Sequence, residues 1–525
     1  MASSSTGPII AAPAGRVQGV NEGDLRVFKG IPFAAAPVGP LRWHAPEPAP
    51  TWSGVRQATD YGPACFQPES RLNNIYADGP FPMSEDCLSL NIWSPAHARN
   101  APVFVWIYGG ALVGGTSREG VYDGARMAQR SGLVVVSINY RIGVLGYLAH
   151  PELSRENPEG ISGNYGLLDQ IAALRWVQRN IAAFGGDPAN VTIAGESAGG
   201  LSVMYLMASP MARGLFSKAI AESAYMVQTP ELKRARYGQP AAEDAGVALA
   251  AALHAPNIAA LRAMDAQALA NAAPAAGFQP WAAIDGHVLT AQLVETFDRG
   301  EQAHVPILAG FNSGEIRSLR ILAPPPPANA AAYESAIHDR YGDLASEYLR
   351  LYPSDNMQES IWANTRDALY GWTAQRLVMK QTAVGAPSYL YLWDHAYPAA
   401  DSAGLHAFHA SELPYVFGNF DKTGPLWPKN PSTPEETALS NAMMDYWTSF
   451  ARSGHPQAAN APDWPAYGTA RSYMNLTDTP HPSADLMPGM YALHEEAMCR
   501  RKVNDQGWNW NTGIISPPLT THCPS

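Results

Sequence analysis

Charge is scarce in this sequence. Asp, Glu, Lys and Arg make up 15% of 525 residues, and no Lys/Arg-rich run occurs. With a net charge of −11, the composition speaks against a nucleic-acid partner. Long hydrophobic runs are missing too. No apolar stretch is long enough for a membrane-spanning helix, so no span is expected. The opening "MASSSTGPIIAAPAGR" lacks a basic start and has only a short apolar run, so no signal peptide is expected there. Cysteine is scarcer still, at four residues with no C-x-x-C, which argues against a zinc ribbon or a thioredoxin-like site. Internal repeats and long low-complexity tracts are absent.

What is present is ample core material: 46% of residues are hydrophobic, while 45 Gly and 45 Pro imply many turns. The cysteines form two local pairs. Cys65 and Cys87 lie 22 apart (87 − 65), and Cys499 and Cys523 lie 24 apart (523 − 499). Two short disulfide loops suit an oxidising compartment, secreted or periplasmic; the other reading is four buried thiols in the cytoplasm.

Five segments read as buried parallel strands: "PVFVWIY" (102–108), "LVVVSINY" (133–140), "NVTIAG" (190–195), "VPILAGF" (305–311) and "SYLYLWD" (388–394). Each is a continuous apolar run, the pattern of a sheet covered by helices on both faces. Between them, 167–184 reads as a helix with Leu168, Ile171, Leu174, Trp176 and Val177 near one side. A late helix is predicted from Thr433 as N-cap, with Pro434 in its first turn, Glu436 completing a capping box and Gly454 as the stop. The proline-rich 322–334 interrupts regular structure, as a linker or the edge of a lid. The expected architecture is one α/β domain over residues 1–525: a mostly parallel sheet with helices on both faces and insertions near 225–300 and 320–385.

Within "VTIAGESAGG" (191–200), a Gly-x-Ser-x-Gly motif stands where a strand gives way to an apolar helix. The motif alone is weak; its context gives it meaning. Such a turn presents Ser197 at the carboxyl end of the sheet, beside the N–H groups of a helix N-terminus. The flanking glycines remove side chains that would collide there. A serine nucleophile needs a base, and the base an orienting acid, in the chain order serine, acid, histidine. Glu315 follows the 305–311 strand. His395, His406 and His409 follow the 388–394 strand, and spacing does not choose between His406 and His409. "VWIYGGALVGG" (105–115) turns through Gly109 and Gly110, where backbone N–H groups, with that of Ala198, can hold an oxyanion.

In its ordered motifs the chain resembles the type B carboxylesterases of the α/β-hydrolase superfamily. The motifs are "FKGIPFAAAPVGPLRW", "SEDCLSLNIW", "VWIYGGALVGG", "NYRIGVLGYL", "GNYGLLDQIAALRWVQRNIAAFGGDP", "VTIAGESAGG", "GFNSGE" and "HASELPYVFGN". The resemblance implies an α/β-hydrolase fold and a serine carboxylesterase acting on small-molecule esters without metal or cofactor. It implies His409 as base, Glu315 as acid, and Gly110, Ala111 and Ala198 as oxyanion donors. It also implies a Cys65–Cys87 disulfide beside an Arg42–Glu85 salt bridge, and Ser223 in the hydrogen-bond network behind the base. Cys499–Cys523 rests on pairing logic alone.

Departures are visible. Tyr108-Gly109-Gly110-Ala111 replaces the frequent His-Gly-Gly-Gly. Leu112 stands where an aromatic is usual, and "AES" (221–223) replaces Gln-Ser-Gly. The Gly-Gly-Ala loop is similar to that of esterases accepting bulky tertiary alcohols. Other readings of the same residues are activity on a carbamate or amide, and a catalytically silent binding protein, which would lack the nucleophile or base. A monomer or weak homodimer is expected.

Overall fold

The computed structural model describes residues 7–509, 513–520, 522 and 523. The first six residues of the opening segment lie outside them. An eleven-stranded sheet forms the centre. Its spatial order is His481–Ala484, Ser472–Leu476, Ser388–Trp393, Ile307–Asn312, Lys218–Glu222, Gly186–Glu196, Ala101–Ile107, Val134–Ile138, Ser89–Pro95, Leu25–Pro32 and Val20–Glu22. From Ser472–Leu476 through Val134–Ile138 every neighbouring pair is parallel; the pairings beyond, at both edges, are antiparallel. All five strands expected from the sequence are in the parallel block. Every residue of Ala101–Ile107, Val134–Ile138 and Ser388–Trp393 is buried. Burial on both faces is why these strands do not alternate. A small separate sheet joins Ile9–Ala12, Gly15–Gln18 and Val55–Gln57.

Helices cover both faces. Tyr165–Asn180 buries Leu167, Ile171, Leu174, Trp176 and Val177 and continues as a 3₁₀ turn, Ile181–Phe184. Leu168, expected on that face, is only half-buried, and Leu167 takes the deeper place. The late helix spans Pro434–Ser453. The Thr433 hydroxyl accepts the Glu436 N–H at 3.3 Å, and Gly454 ends it in the left-handed region at φ 78°. The reciprocal half of the capping box is not made. The Glu436 carboxylate turns to His395 and Tyr415 instead, because a buried imidazole and phenol need an acceptor more than a helix-end N–H does.

Region 225–300 carries four short helices, Ala242–Ala252, Ile258–Arg262, Ala266–Ala275 and Leu293–Asp298, joined by long irregular stretches, while 320–385 is largely helical. The proline run ends at Asn329, whose side chain caps a helix over Ala330–Tyr341, so the last residues of 322–334 are helical. Trp372 in the second region is buried. It donates to Glu495 at 2.6 Å and lies under the Arg376 guanidinium, so it serves as packing. Met443, Met444, Tyr446 and Trp447 of "MMDYW" are core. The cysteines are paired as Cys65–Cys87 and Cys499–Cys523, with Cα separations of 5.0 and 5.9 Å. Arg42 grips Glu85 through two bonds, of 2.6 and 2.7 Å, next to the first disulfide. No helix of the described residues is long and apolar enough to cross a membrane.

Candidate active site

The strand Gly186–Glu196 stops at the centre of the sheet, and the helix Ala198–Ala208 starts one residue later. Ser197 makes the whole turn, at φ 59° and ψ −120°, a strained conformation for a residue with a side chain. Its N–H is held by the Glu222 carbonyl at 2.9 Å. The glycines are required by contact. A Cβ on Gly199 would sit 2.1 Å from the Ile107 oxygen, and one on Gly195 would meet Gly199 at 2.5 Å.

The loop after Ala101–Ile107 closes against this turn. A Cβ on Gly109 would lie 3.1 Å from Ser197 Cβ and 2.6 Å from the Glu196 oxygen. Tyr108 and Tyr140 brace the loop from behind by stacking at 4.5 Å and donating to each other's carbonyls. Gly110, Ala111 and Leu112 all have positive φ. This winding turns the N–H groups of Val113 and Gly114 onto the Gly110 carbonyl, both at 3.0 Å. The N–H groups of Gly110 and Ala111 donate to no acceptor among the described residues. Ala198 is the first residue of its helix, so its N–H has no intrahelical partner.

Glu315 follows the strand Ile307–Asn312 and is fully buried. One carboxylate oxygen accepts the Asn312 N–H at 2.9 Å; the other meets His409 Nδ1. The structure thus brings His409, and not His406, to Glu315. His406 is half-exposed and pairs with Asp401. His395 is held by Glu436, Tyr415 and Asp478. His409 Nε2 lies 3.0 Å from Glu196 Oε1, and Ser197 forms no hydrogen bond to His409 in this structure. Ser223 is buried, but its hydroxyl bonds none of these groups, so the support expected from it is not made.

The sequence reading passed over a group of carboxylates here. Glu196, Glu222, Glu315 and Glu412 are all buried near His409. Burial raises Glu196 to about 8, against the pull of His409, with Glu412 and Glu315 adding to the rise. Burial, opposed by a hydrogen bond from Asn312, leaves Glu412 at about 7. Burial and the neighbouring Glu412 and Glu196 push Glu222 far up, although Trp447 Nε1 donates to it at 2.9 Å. Burial pulls the His409 imidazolium down, but Glu196, Glu315 and Glu412 outweigh it and lift its pKa to about 9. Like charges this close cannot all ionise, so protons are shared across the cluster. Glu196 is the variable position of Gly-x-Ser-x-Gly, Glu412 is three residues past His409, and Glu222 precedes Ser223. Their positions were in view; their burial was not.

Two aromatic rings flank His409. The turn Asp367–Gly371 is wound as a π-helix and sets Tyr370 with its ring 5.3 Å from that of His409. Tyr76, on the Cys65–Cys87 loop, lies edge-on to His409 at 6.1 Å and donates to Ser318 at 2.7 Å.

Residues 6–488 match the carboxylesterase family. The chain belongs to the carboxylesterase family. It is a carboxylic ester hydrolase of the α/β-hydrolase fold. Among curated relatives, this carboxylesterase is 37% identical to the fumonisin B1 esterase of Sphingopyxis macrogoltabida over 86% of this chain and 83% of that one. It is 37% identical to the para-nitrobenzyl esterase of Bacillus subtilis, over 88% and 93%. It is 35% identical to a human cocaine esterase, over 88% and 85%. A solved PNB esterase structure superposes with a TM-score of 0.80 at 34% identity, covering 93% of this chain and 99% of that one. A Geobacillus stearothermophilus carboxylesterase gives 0.78, also at 34% identity, over 92% and 99%.

Proposed function

We infer that this carboxylesterase cleaves esters by two-step acyl transfer through Ser197, His409 and Glu315. The observation that carries the reading is the strained Ser197 turn, packed against a glycine loop with free N–H groups and set near an imidazole already bound to a buried carboxylate. His409 Nε2 takes the Ser197 hydroxyl proton as Oγ attacks the ester carbonyl. The N–H groups of Gly110, Ala111 and Ala198 receive the negative oxygen, a contribution of several kcal/mol in such sites, about 3–4 per donor. His409 returns the proton to the leaving alcohol. Water then repeats the cycle on the acyl-enzyme. Glu315 fixes the tautomer and stabilises the imidazolium.

One rearrangement is needed: His409 Nε2 must leave Glu196 for Ser197. Protonation of Glu196 removes its charge and weakens that ion pair, freeing Nε2. The relatives are named for chemically different esters, so they support the reaction class and leave the substrate open. The two disulfides favour work in an oxidising compartment.

The test is hydrolysis of p-nitrophenyl acetate and butyrate by the wild type and Ser197→Ala, with mass spectrometry after an organophosphate probe. Turnover lost in the variant, with one adduct on Ser197, is the expected result. Turnover that persists in Ser197→Ala, or an adduct elsewhere, overturns it.

A further inference from the structure

The loop closed by Cys65–Cys87 lies over the oxyanion loop as a strap. Gln67 binds it down from both ends of its amide: the carbonyl accepts the Gly115 N–H at 2.9 Å, and the amino group donates to the Gly115 oxygen at 3.1 Å. Four residues on, the stem of Arg71 packs on Gly114. A Cβ built there would be 3.2 Å from Arg71 Cβ and 3.3 Å from its Cγ. The Arg71 backbone is fixed as well, its N–H on the Pro68 carbonyl at 2.9 Å and its carbonyl accepting from Asn74 at 2.6 Å. The base of the side chain is therefore placed by its surroundings.

Its head is not spent. The Arg71 guanidinium has no hydrogen bond, ion pair or ring contact with any described residue. It is solvent-accessible, and it is the only cation between Cys65 and Cys87, a stretch that holds Glu69, Asp78, Glu85 and Asp86. Its surroundings are still partly dry. Burial lowers its pKa, and the group acting against this is Tyr225. The Tyr225 hydroxyl feels both Arg71 and Glu196, and its ring stands 6.1 Å from Tyr370, itself beside His409. Arg71 is thus within electrostatic reach of Tyr225, which packs on the Tyr370 ring beside His409.

We propose that Arg71 is a specificity residue that receives a carboxylate carried by the ester substrate. A planar guanidinium matches a carboxylate through two parallel N–H···O bonds. The need for it is electrostatic: the chain is acidic overall and the strap itself carries Glu69, Asp78, Glu85 and Asp86, so Arg71 is the strap's one positive charge for an anionic ester to meet. The proposal rests on the esterase reading and names its substrate class.

The test compares matched probes. Mono-p-nitrophenyl glutarate and p-nitrophenyl valerate differ by a carboxylate on the acyl arm; 4-acetoxybenzoate and its methyl ester differ by one on the alcohol arm. In Arg71→Leu, kcat/KM for at least one anionic probe should fall about tenfold or more, with its neutral partner within about twofold. Arg71→Lys should recover part of the loss. The wild-type preference should shrink as salt rises from 0.01 to about 1 M, where the screening length falls to about 3 Å. Equal effects on anionic and neutral probes, or none, overturn the proposal while leaving the esterase reading intact. No turnover of any probe by the wild type overturns the esterase reading itself.

Discussion

Glu196→Gln should move the acid limb of the pH–rate profile downward. Glu196 Oε1 lies 3.0 Å from His409 Nε2, and both residues are 4% exposed. At an effective dielectric of about 20, charges at that distance attract by about 5.5 kcal/mol before solvation is counted. The net effect is smaller, because Gln still offers an oxygen to the imidazolium; an opposite charge this close commonly shifts a pKa by about 1–3 pH units. The sign follows. Glu196 stabilises the charged imidazole, so removing its charge lowers the His409 pKa from about 9. As a base, His409 works only when neutral. The limb of kcat/KM, which reports the free enzyme, should lie above the usual imidazole value of about 6.5 in the wild type and about 1–3 units lower in the variant. The assay is p-nitrophenyl butyrate hydrolysis between about pH 6 and 9.5, read at the isosbestic wavelength of the nitrophenol. Glu222→Gln is the control. Burial and the neighbouring Glu412 and Glu196 favour the neutral form of Glu222, so an amide there changes the local charge little and the limb should stay in place. A limb that stays in Glu196→Gln, or moves equally in Glu222→Gln, refutes the electrostatic account.

Replacing Cys65 and Cys87 by Ser should cost about 3 kcal/mol, from the chain entropy of a 22-residue loop, and should also lower esterase activity because that loop carries Gln67 and Tyr76 to the site; thermal melting and p-nitrophenyl butyrate turnover check both halves. Asp169→Ala leaves Arg141 buried and uncompensated, since the pair is joined by two 2.8 Å bonds at 4% and 0% exposure. A loss of about 3–5 kcal/mol is expected, seen as a lower melting temperature or poor soluble yield, while a melt within about a degree of wild type would contradict it. Burial pulls His395 down, but Glu436 and Asp478 raise its pKa above the unfolded value. Its contribution to stability is therefore complete below about pH 6.5 and fades as pH rises through the folded pKa. His395→Gln should lose stability most at the acid end of that window, in melts taken from about pH 6 to 9.

The strand cores and the Ser197 turn were legible because backbone sterics write them into residue type. Gly195 and Gly199 face backbone oxygens at distances no Cβ tolerates, and continuous Val/Ile runs suit a sheet buried on both faces. Glu315 and His409 were legible through motif context; spacing alone left His406 level with His409, and only the fold sends His406 outward to Asp401. The capping box failed for a long-range reason. Glu436 stands at the right local spacing, but His395, 41 residues away in sequence, competes for its carboxylate and wins inside the protein. Local spacing describes what a side chain can reach, and burial decides what it must satisfy.

The same distinction explains the glutamates around His409. In the sequence, Glu196, Glu222 and Glu412 are three separated acidic residues of the kind usually found in water. Folding carries each to the carboxyl end of a strand or the loop facing it, at the one place where the sheet must present an ionisable base. Their cost is desolvation, and it is met by sharing protons and by Trp447, Asn312 and His409. A site so rich in carboxylate favours a cationic imidazole, which opposes base catalysis until a proton moves or a substrate displaces Glu196. That makes the acid limb of the wild type a direct reading of the cluster.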